Sequence, residues 1–168
     1  MKQTKTGFTL IELLVVIGVI AAILGLSMPN FMGMRQRARD TVKKTNLGEL
    51  KTALRLYYND YQTYPAANSG AIVGCGAAGT AACPCSVSYD FAAGGAACDN
   101  VYMKKFPDLN GTVAGDGWDY FLSGSDDFCI ATDLENPGDP DAALSQTKCA
   151  GACGVNCTGG LKYCACAD

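Results

Sequence analysis

An almost continuous apolar run lies near the start of the chain. Residues 8–28 read FTLIELLVVIGVIAAILGLSM, and Glu12 is their only charged side chain. As a helix rising about 1.5 Å per residue, this segment is roughly 31 Å long, which matches the thickness of a bilayer core. Its Phe, Leu, Ile and Val residues favour insertion by more than Glu12 opposes it, because a charge near the end of a span costs less than one at the centre. The pattern predicts a membrane-spanning helix.

The periodicity changes after this run. From Pro29 to Tyr61 the large apolar residues recur at intervals of three or four, as on one face of an amphipathic helix; they are Leu47, Leu50, Leu54, Tyr57, Tyr58 and Tyr61. Basic side chains lie off this stripe, namely Arg35, Arg37, Arg39, Lys43, Lys44, Lys51 and Arg55. Pro65 ends the pattern, since proline cannot continue a helix. We predict an amphipathic helix over 29–61 whose apolar face packs on the rest of the protein.

Residues 62–168 have the composition of a small head domain. They contain 15 of the 20 glycines and many alanines, so they offer little large apolar surface for a core. Two segments, Trp118–Leu122 and Phe128–Thr132, are separated by Ser-Gly-Ser-Asp-Asp and are typical of a strand, a turn and a strand. We predict loops for 68–100 and 136–168. The fold class is therefore α+β, with a long helix on a small antiparallel sheet and cysteine-rich loops.

All ten cysteines lie in the head. An even, dense set confined to one small domain favours disulfides formed in an oxidising compartment. Binding of a metal or an iron-sulfur cluster is the alternative, although the spacings differ from the usual CxxC pairs and no histidine is available to complete a mixed site. The disulfide candidates are Cys75, Cys83, Cys85, Cys98, Cys129, Cys149, Cys153, Cys157, Cys164 and Cys166.

Charge and composition exclude several functions. Residues 1–58 carry nine basic and three acidic side chains, whereas residues 59–168 carry four and thirteen. An acidic head argues against a nucleic-acid-binding domain, which would present a basic patch. The chain has no histidine, which removes Ser-His and Cys-His catalytic pairs. No catalytic site is identified, and we predict that the protein is not an enzyme.

The most specific signal is the junction at Gly7. A short basic leader ends in Gly7 and is followed by Phe8, Thr9, Leu10, Ile11 and Glu12, then by the apolar run. This arrangement resembles the prepilin signal of type IV pilins and type II secretion pseudopilins. Pro29 falls where these proteins usually have a proline along the processed helix, and the sequence LRLYYNDYQTYP at 54–65 resembles the helix end of pseudopilin-like members.

The resemblance implies a structural fibre subunit. Residues 1–7 would be a leader removed by a prepilin peptidase that also methylates Phe8, and 8–28 would be both membrane anchor and polymerisation helix. The implied partners are further copies of the chain, the peptidase, and an inner-membrane assembly platform with its ATPase. The precursor would cross the cytoplasmic membrane once and then join an extracellular or periplasmic fibre. Glu12 and Pro29 are the implied assembly residues.

Two alternatives remain at this stage. The leader and apolar run also fit an ordinary secretory signal cut after Ser27, which would release a cysteine-rich adhesive or binding module that does not polymerise. Glu12 also fits the third helical position of a capping box with Thr9, because Thr-x-x-Glu before an apolar run is a helix-start pattern. This second role is compatible with a role in assembly.

The charges that flank the apolar run conflict with the cysteines. Lys2 and Lys5 precede the run and five basic residues follow it, so a positive-inside count places the head in the cytoplasm. Ten cysteines require an oxidising side, and long domains translocate largely regardless of flanking charge. We therefore expect the leader inside and the head outside.

Acidic residues of the head are weak calcium candidates. Asp126, Asp127 and Asp133 could supply carboxylate oxygens, as could Glu135, Asp139 and Asp141, but their spacing is not that of an EF-hand loop. A solvated acidic surface is the competing interpretation. No other cofactor is expected.

Overall fold

The computed structural model of the protein describes residues 7–68, 70–75, 81–82, 91–93, 100–107 and 117–167. The chain divides into two compact units, Met1–Ala38 and Arg39–Asp168. The α+β prediction is confirmed, because a long N-terminal helix is followed by small antiparallel sheets.

Helix α1 runs over Leu10–Tyr61. Gln62 then adopts a left-handed conformation, with φ of 55°, and its N–H bonds to the Tyr58 carbonyl at 2.8 Å. The Gln62 side-chain amide donates to the Tyr58 and Asn59 carbonyls, so it satisfies acceptors that the helix end leaves open. Among the described residues no single helix is long and apolar enough to cross a membrane, whereas the bent pair Leu10–Leu26 and Phe31–Tyr61 meets the criteria of length and composition when taken together.

The main sheet has strands β6 (Asp119–Ser123), β7 (Asp127–Asp133) and β8 (Lys162–Cys166) in the order β6-β7-β8. Both pairings are antiparallel. The predicted hairpin is confirmed as β6 and β7, and Gly124 in its turn has φ of +77°, which favours glycine. Strand β8 lies in a segment predicted as loop, so that part of the prediction is wrong.

One face of this sheet packs on α1. Because side chains alternate across a strand, Tyr120, Phe128 and Ile130 share a face, and they join a core with the helix residues. The helix contributes Leu47, Leu50, Ala53, Leu54 and Tyr57 to that core. Full burial of each large side chain is worth about 1.5–3 kcal/mol. The predicted stripe of α1 is thus confirmed as the inner face of the head.

The opposite face of the sheet carries the cysteines. Cys129 on β7 and Cys164 and Cys166 on β8 point away from α1 and form a second buried cluster with Cys149, Cys153 and Cys157. Helix α2 (Pro140–Lys148), the short helix α3 (Ala150–Cys153) and a 3-10 turn at Gly154–Cys157 cover this face. Asp139 caps α2 by accepting the Asp141 N–H at 2.9 Å, and Pro140 follows at the first helical position. The loop prediction for 136–168 is wrong here too.

Three disulfides join the covering segment to the sheet. They link Cys129 to Cys153, Cys149 to Cys166 and Cys157 to Cys164, with Cα separations of 5.0, 5.6 and 6.2 Å. The disulfide prediction is confirmed for these six residues. Cys83, Cys85 and Cys98 lie outside the described residues, as does the side chain of Cys75, whose backbone belongs to β2.

Two smaller sheets overlap the region predicted as loop, 68–100. Strands β1 (Ala66–Asn68), β2 (Ala71–Cys75) and β3 (Ala81–Ala82) form one, and β4 (Phe91–Ala93) pairs with β5 (Asn100–Met103) in the other. The loop prediction is therefore wrong for β2, β3 and β4. Gly70, in the turn between β1 and β2, has φ of +81° and accepts the Tyr120 N–H through its carbonyl at 2.8 Å. A Cβ there would lie 2.6 Å from an Asp119 carboxylate oxygen, so that side chain would have to move, and the positive φ itself favours glycine.

Removal of one disulfide tests how much the cysteine-bearing face of the sheet contributes to the stability of the head. Because Cys129 and Cys153 are 24 residues apart, replacing both with serine should lower the free energy of unfolding by about 3 kcal/mol. Urea unfolding of the full chain in detergent measures this loss, with the helical circular dichroism retained. Ala143→Ser, at an exposed position of α2, is the control. An unchanged midpoint in the double variant would contradict the prediction.

Candidate functional site

Helix α1 starts with a reciprocal pair of contacts between Thr9 and Glu12. Glu12 Oε2 accepts hydrogen bonds from the Thr9 N–H at 2.9 Å and from the Thr9 hydroxyl at 2.7 Å. The Glu12 N–H donates in return to Thr9 Oγ1 at 3.3 Å. This is a capping box, which satisfies backbone donors that a helix start leaves without partners. Gly7 and Phe8, at the expected cleavage junction, precede the first helical residue, Leu10.

The first turns of α1 expose apolar side chains on every side. Phe8 is 80% and Leu10 82% exposed, and the large apolar residues through Leu26 are also exposed. Such a surface needs an apolar environment, because burial is worth about 25 cal/mol per Å². Lipid chains or the same surface of other protein copies supply such an environment. Pro29, the other expected assembly residue, belongs to α1, and its side chain lies outside the described part.

Further along α1, polar side chains attach the helix to the segment that follows β7. The Asp40 side chain is fully buried, and its two carboxylate oxygens accept the N–H groups of Glu135 and Asn136, each at 2.8 Å. Lys43 Nζ donates to the Asp133 carbonyl at 2.9 Å. These bonds satisfy backbone groups of an irregular segment, which would otherwise be costly to bury.

Two further basic residues complete this polar seam, which comprises Arg39, Asp40, Lys43 and Lys44 on α1 and residues 133–141 opposite them. Arg39 forms a bidentate ion pair with Glu135, in which Nε donates to Oε1 and Nη2 donates to Oε2. Lys44 Nζ lies 2.6 Å from Asp139 Oδ2 and 2.7 Å from Asp141 Oδ2. Glu135, Asp139 and Asp141 therefore pair with the helix, and the expectation of a solvated acidic surface is wrong for them.

The seam shifts the pKa values of its members. The hydrogen bond from Arg39 holds the pKa of Glu135 below its usual range. Burial of Asp139 opposes its charged form, but hydrogen bonds from Lys44 and from the Asp141 N–H outweigh it and lower the pKa. Burial likewise opposes the charged form of Lys44, and its two acidic partners outweigh it and raise the pKa.

Sequence reasoning missed this seam because it treated all charged positions as solvent-facing. Asp40 and Lys43 precede Leu47 at the same intervals of three and four that define the apolar stripe, so they lie on its continuation. The signal was present in the spacing. A search for apolar residues alone does not find it, because the inner face of α1 is charged in this part of the helix and apolar further on, although the spacing of three and four continues.

The calcium candidates do not converge on one site. Asp126 accepts the Tyr58 hydroxyl at 3.1 Å, and Asp127 Oδ1 accepts the N–H groups of Phe128 and Ala167. Asp133 lies at the other end of β7, six residues from Asp127 and hence about 20 Å away at strand rise. The three carboxylates therefore cannot bind a single ion together.

Three buried cysteines have the proximity of metal ligands. The sulfur atoms of Cys153, Cys157 and Cys164 all lie within 4.8 Å of one another. Each of these residues is in a disulfide, however, and metal ligation requires the thiolate. In this oxidised state the three cysteines are disulfide-bonded core residues.

Known proteins similar to this chain share the apolar N-terminal segment or extend into the head. The prokaryotic N-terminal methylation motif matches residues 2–28. The type IV wide pilus major component PilA4 of Thermus thermophilus is 34% identical over 113 residues, which covers 67% of this chain and 80% of that protein. The chain belongs to the type IV pilin and pseudopilin family. The resemblance inferred from Gly7, Phe8 and Glu12 is thereby confirmed.

Other relatives match mainly through the helix. The type IV major pilin protein PilA of Myxococcus xanthus is 36% identical over 58 residues, covering 34% of this chain and 26% of that protein. The type II secretion system core protein G of Escherichia coli is 38% identical over 66 residues, covering 39% and 46%. The chain thus spans less than half the length of these two relatives. No solved structure is significantly similar to it.

Family membership sets the general function of this pilin-like chain. It is a structural subunit of a type IV pilus or pseudopilus, and the family implies processing by a prepilin peptidase and polymerisation. The prepilin motif indicates anchoring of the N-terminal helix in the inner membrane before it joins an extracellular fibre. Structural homologues of this kind imply a role other than enzymatic.

Acid should weaken the polar seam. Because the folded pKa values of Glu135 and Asp139 lie below their ordinary 4.5 and 3.8, their stabilisation is complete above those values and is lost as pH falls through the folded pKa. The free energy of unfolding should therefore decline below about pH 4.5. Urea unfolding of the full chain in detergent between about pH 6 and 3 measures the decline.

The control for this pH effect is the double variant Glu135→Gln/Asp139→Asn. It should be less stable near neutral pH and should show a shallower decline in acid, because the two titrating groups are absent. Equal slopes for the variant and the wild type would show that other carboxylates determine the acid response.

Proposed function

We propose that this chain is a pilus subunit that is cut after Gly7, methylated on the new Phe8 amine and polymerised through residues 8–28. The single observation that carries the proposal is the helix surface from Phe8 to Leu26, whose large apolar side chains are exposed on all sides. Membrane anchoring and fibre formation would each keep this surface out of water, and removal of the leader would leave Phe8 at its start.

The energetics favour reversible assembly. In the membrane the helix surface contacts lipid chains, and in a fibre it would contact the same surface of neighbouring subunits. Apolar area stays out of water in both states, so little hydrophobic free energy separates them. An inner-membrane platform and an ATPase, which the family resemblance implies, could then drive subunits in either direction.

Glu12 has a free acceptor for a second role. Both hydrogen bonds that its carboxylate accepts in the capping box go to Oε2, and Oε1 accepts none from the described residues. A carboxylate offers about four acceptor positions, so capping leaves room for an ionic partner. Cleavage after Gly7 creates a cationic amine on Phe8, and methylation preserves its ability to hold a proton. We propose that Glu12 binds this amine of an incoming subunit within the apolar core.

The proposed orientation places the leader inside and the head outside. Three disulfides favour an oxidising compartment for the head. Of the basic residues that follow the apolar run, Arg39, Lys43 and Lys44 bond to the head. Their charges thus serve the folded domain, which weakens the positive-inside argument for a cytoplasmic head.

A pilus is favoured over a secretion pseudopilus by the extent of similarity. Similarity to the Thermus thermophilus pilus component covers 113 residues and so includes part of the head, whereas similarity to the Escherichia coli secretion protein covers 66. Because head surfaces determine what a fibre contacts, the longer similarity supports the pilus. Recovery of fibres by shearing intact cells would support a pilus, and their confinement to the periplasm would indicate a pseudopilus.

Processing depends on Gly7 in this proposal. Gly7→Val should leave a membrane-bound precursor that retains its leader, because a β-branched side chain replaces glycine at the cut. Intact mass of the purified chain measures this, and the wild type should lack seven residues and carry one added methyl group. Gly18→Val, within the same helix, is the matched control and should be cut normally. A wild-type chain that lacks 27 residues would instead identify a secreted module.

Polymerisation depends on Glu12. Glu12→Gln and Glu12→Ala should be inserted and cut normally but should yield few or no fibres, because the ionic partner of the Phe8 amine is lost. Thr9→Ala is the matched control, since it removes the cap at a cost of about 1 kcal/mol while keeping the carboxylate. Thr9→Ala should therefore still form fibres. Wild-type fibre yield from both Glu12 variants would leave Glu12 as a helix cap only.

A further inference from the structure

The face of α1 that points away from the head carries a regular exposed stripe. Its members alternate at intervals of three and four and are all exposed; they are Val42, Thr45, Glu49, Thr52 and Leu56. Val42 is 57% and Leu56 50% exposed, which are large fractions for aliphatic side chains on a helix that buries its other face. We call these five residues the outer stripe.

The two threonines make the outer stripe more apolar than its sequence suggests. The Thr45 hydroxyl donates to the Thr41 carbonyl and the Thr52 hydroxyl to the Gly48 carbonyl, both at 2.9 Å. Their hydroxyls are therefore satisfied within the helix, and further partners gain little from them. The stripe combines apolar side chains at a heptad-like spacing, which suits packing against another helix.

Glu49 is the one charge on the outer stripe. Within the described part of the chain it takes part in no hydrogen bond or ion pair, whereas Glu135, Asp139 and Asp141 are paired. A carboxylate inside an apolar stripe would be costly to cover unless the covering surface supplies a cation. The occupant of this surface must therefore be apolar with one basic group.

The N-terminal part of α1 offers a complementary surface in another copy of the chain. Phe31, Arg35 and Ala38 follow the same alternation of four and three in the sequence and are exposed. The Arg35 guanidinium lies over the Phe31 ring, 5.6 Å from its centroid, so a cation is presented beside an apolar group. Resting on the proposed function, we propose that the outer stripe of one subunit packs on this segment of a second copy, with Glu49 paired to Arg35.

This contact continues the polymerisation surface along α1 and specifies a different neighbour from the Glu12 contact. The Phe8 amine and Glu12 are four residues apart, which is about 6 Å along a helix, whereas Arg35 and Glu49 are fourteen residues apart, or about 21 Å. Two axial offsets require two neighbouring subunits. The outer stripe thus contributes to specificity between subunits, in addition to the apolar contact among membrane helices.

Charge reversal tests the pairing. Glu49→Arg and Arg35→Glu, each alone, should be processed and folded normally but should reduce sheared fibre yield at least tenfold, because like charges then meet at the contact. The double variant Arg35→Glu/Glu49→Arg should restore the yield to within threefold of the wild type. Lys104→Glu, which makes the same charge change as Arg35→Glu at an exposed position just after β5, is the control and should form fibres normally.

The readouts separate this inference from the function on which it rests. Intact mass reports cleavage, thermal unfolding of the detergent-solubilised subunit reports folding, and sheared yield reports assembly. Wild-type yield from both single variants, or a double variant no better than the poorer single, would overturn the outer-stripe contact while fibres of the wild type uphold the pilus. Failure of the processed wild type to form any fibre would overturn both.

Discussion

The head depends on the contact between the inner face of α1 and one face of the β6-β7-β8 sheet. Leu50, Leu54 and Tyr57 supply the large apolar side chains that a head rich in glycine and alanine lacks, and Phe128 and Ile130 receive them. A sheet with one face buried still needs cover on the other. Here the second layer is a short segment with little apolar surface. Disulfides therefore hold it on the sheet, a role that a second apolar core has in larger domains.

The same helix meets three environments in succession, and the side chains change accordingly. From Phe8 to Leu26 it is apolar all round, as a segment in lipid or in a fibre core must be. At Arg39 to Lys44 its inner face is charged and attaches the segment after β7, and from Leu47 to Tyr57 that face is apolar again. Three of the basic residues that follow the apolar run, Arg39, Lys43 and Lys44, attach the head to the helix.

Sequence patterns predicted the elements that have strong periodicity and missed those that do not. The stripe at Leu47, Leu50 and Leu54 and the hairpin around Gly124 could be predicted because large apolar residues and a turn residue mark them. Strand β8 was missed because its alternation pairs Tyr163 and Ala165 against cysteines, and small residues and cysteine give little hydropathy contrast. The polar seam was missed because a charged side chain that pairs across the fold has the same local sequence as one that contacts only solvent.

The disulfide face also bears on how the fibre can use α1. Since covalent links close the sheet from its far side, the head needs only one face of the helix for its core. The outer face is then available for other subunits without loss of head stability. In the sequence this separation appears as two stripes of the same period, one with Leu50 and Tyr57 and the other with Val42 and Leu56. A change in the second stripe should therefore affect assembly and leave folding intact, whereas a change in the first affects the head before any fibre can form.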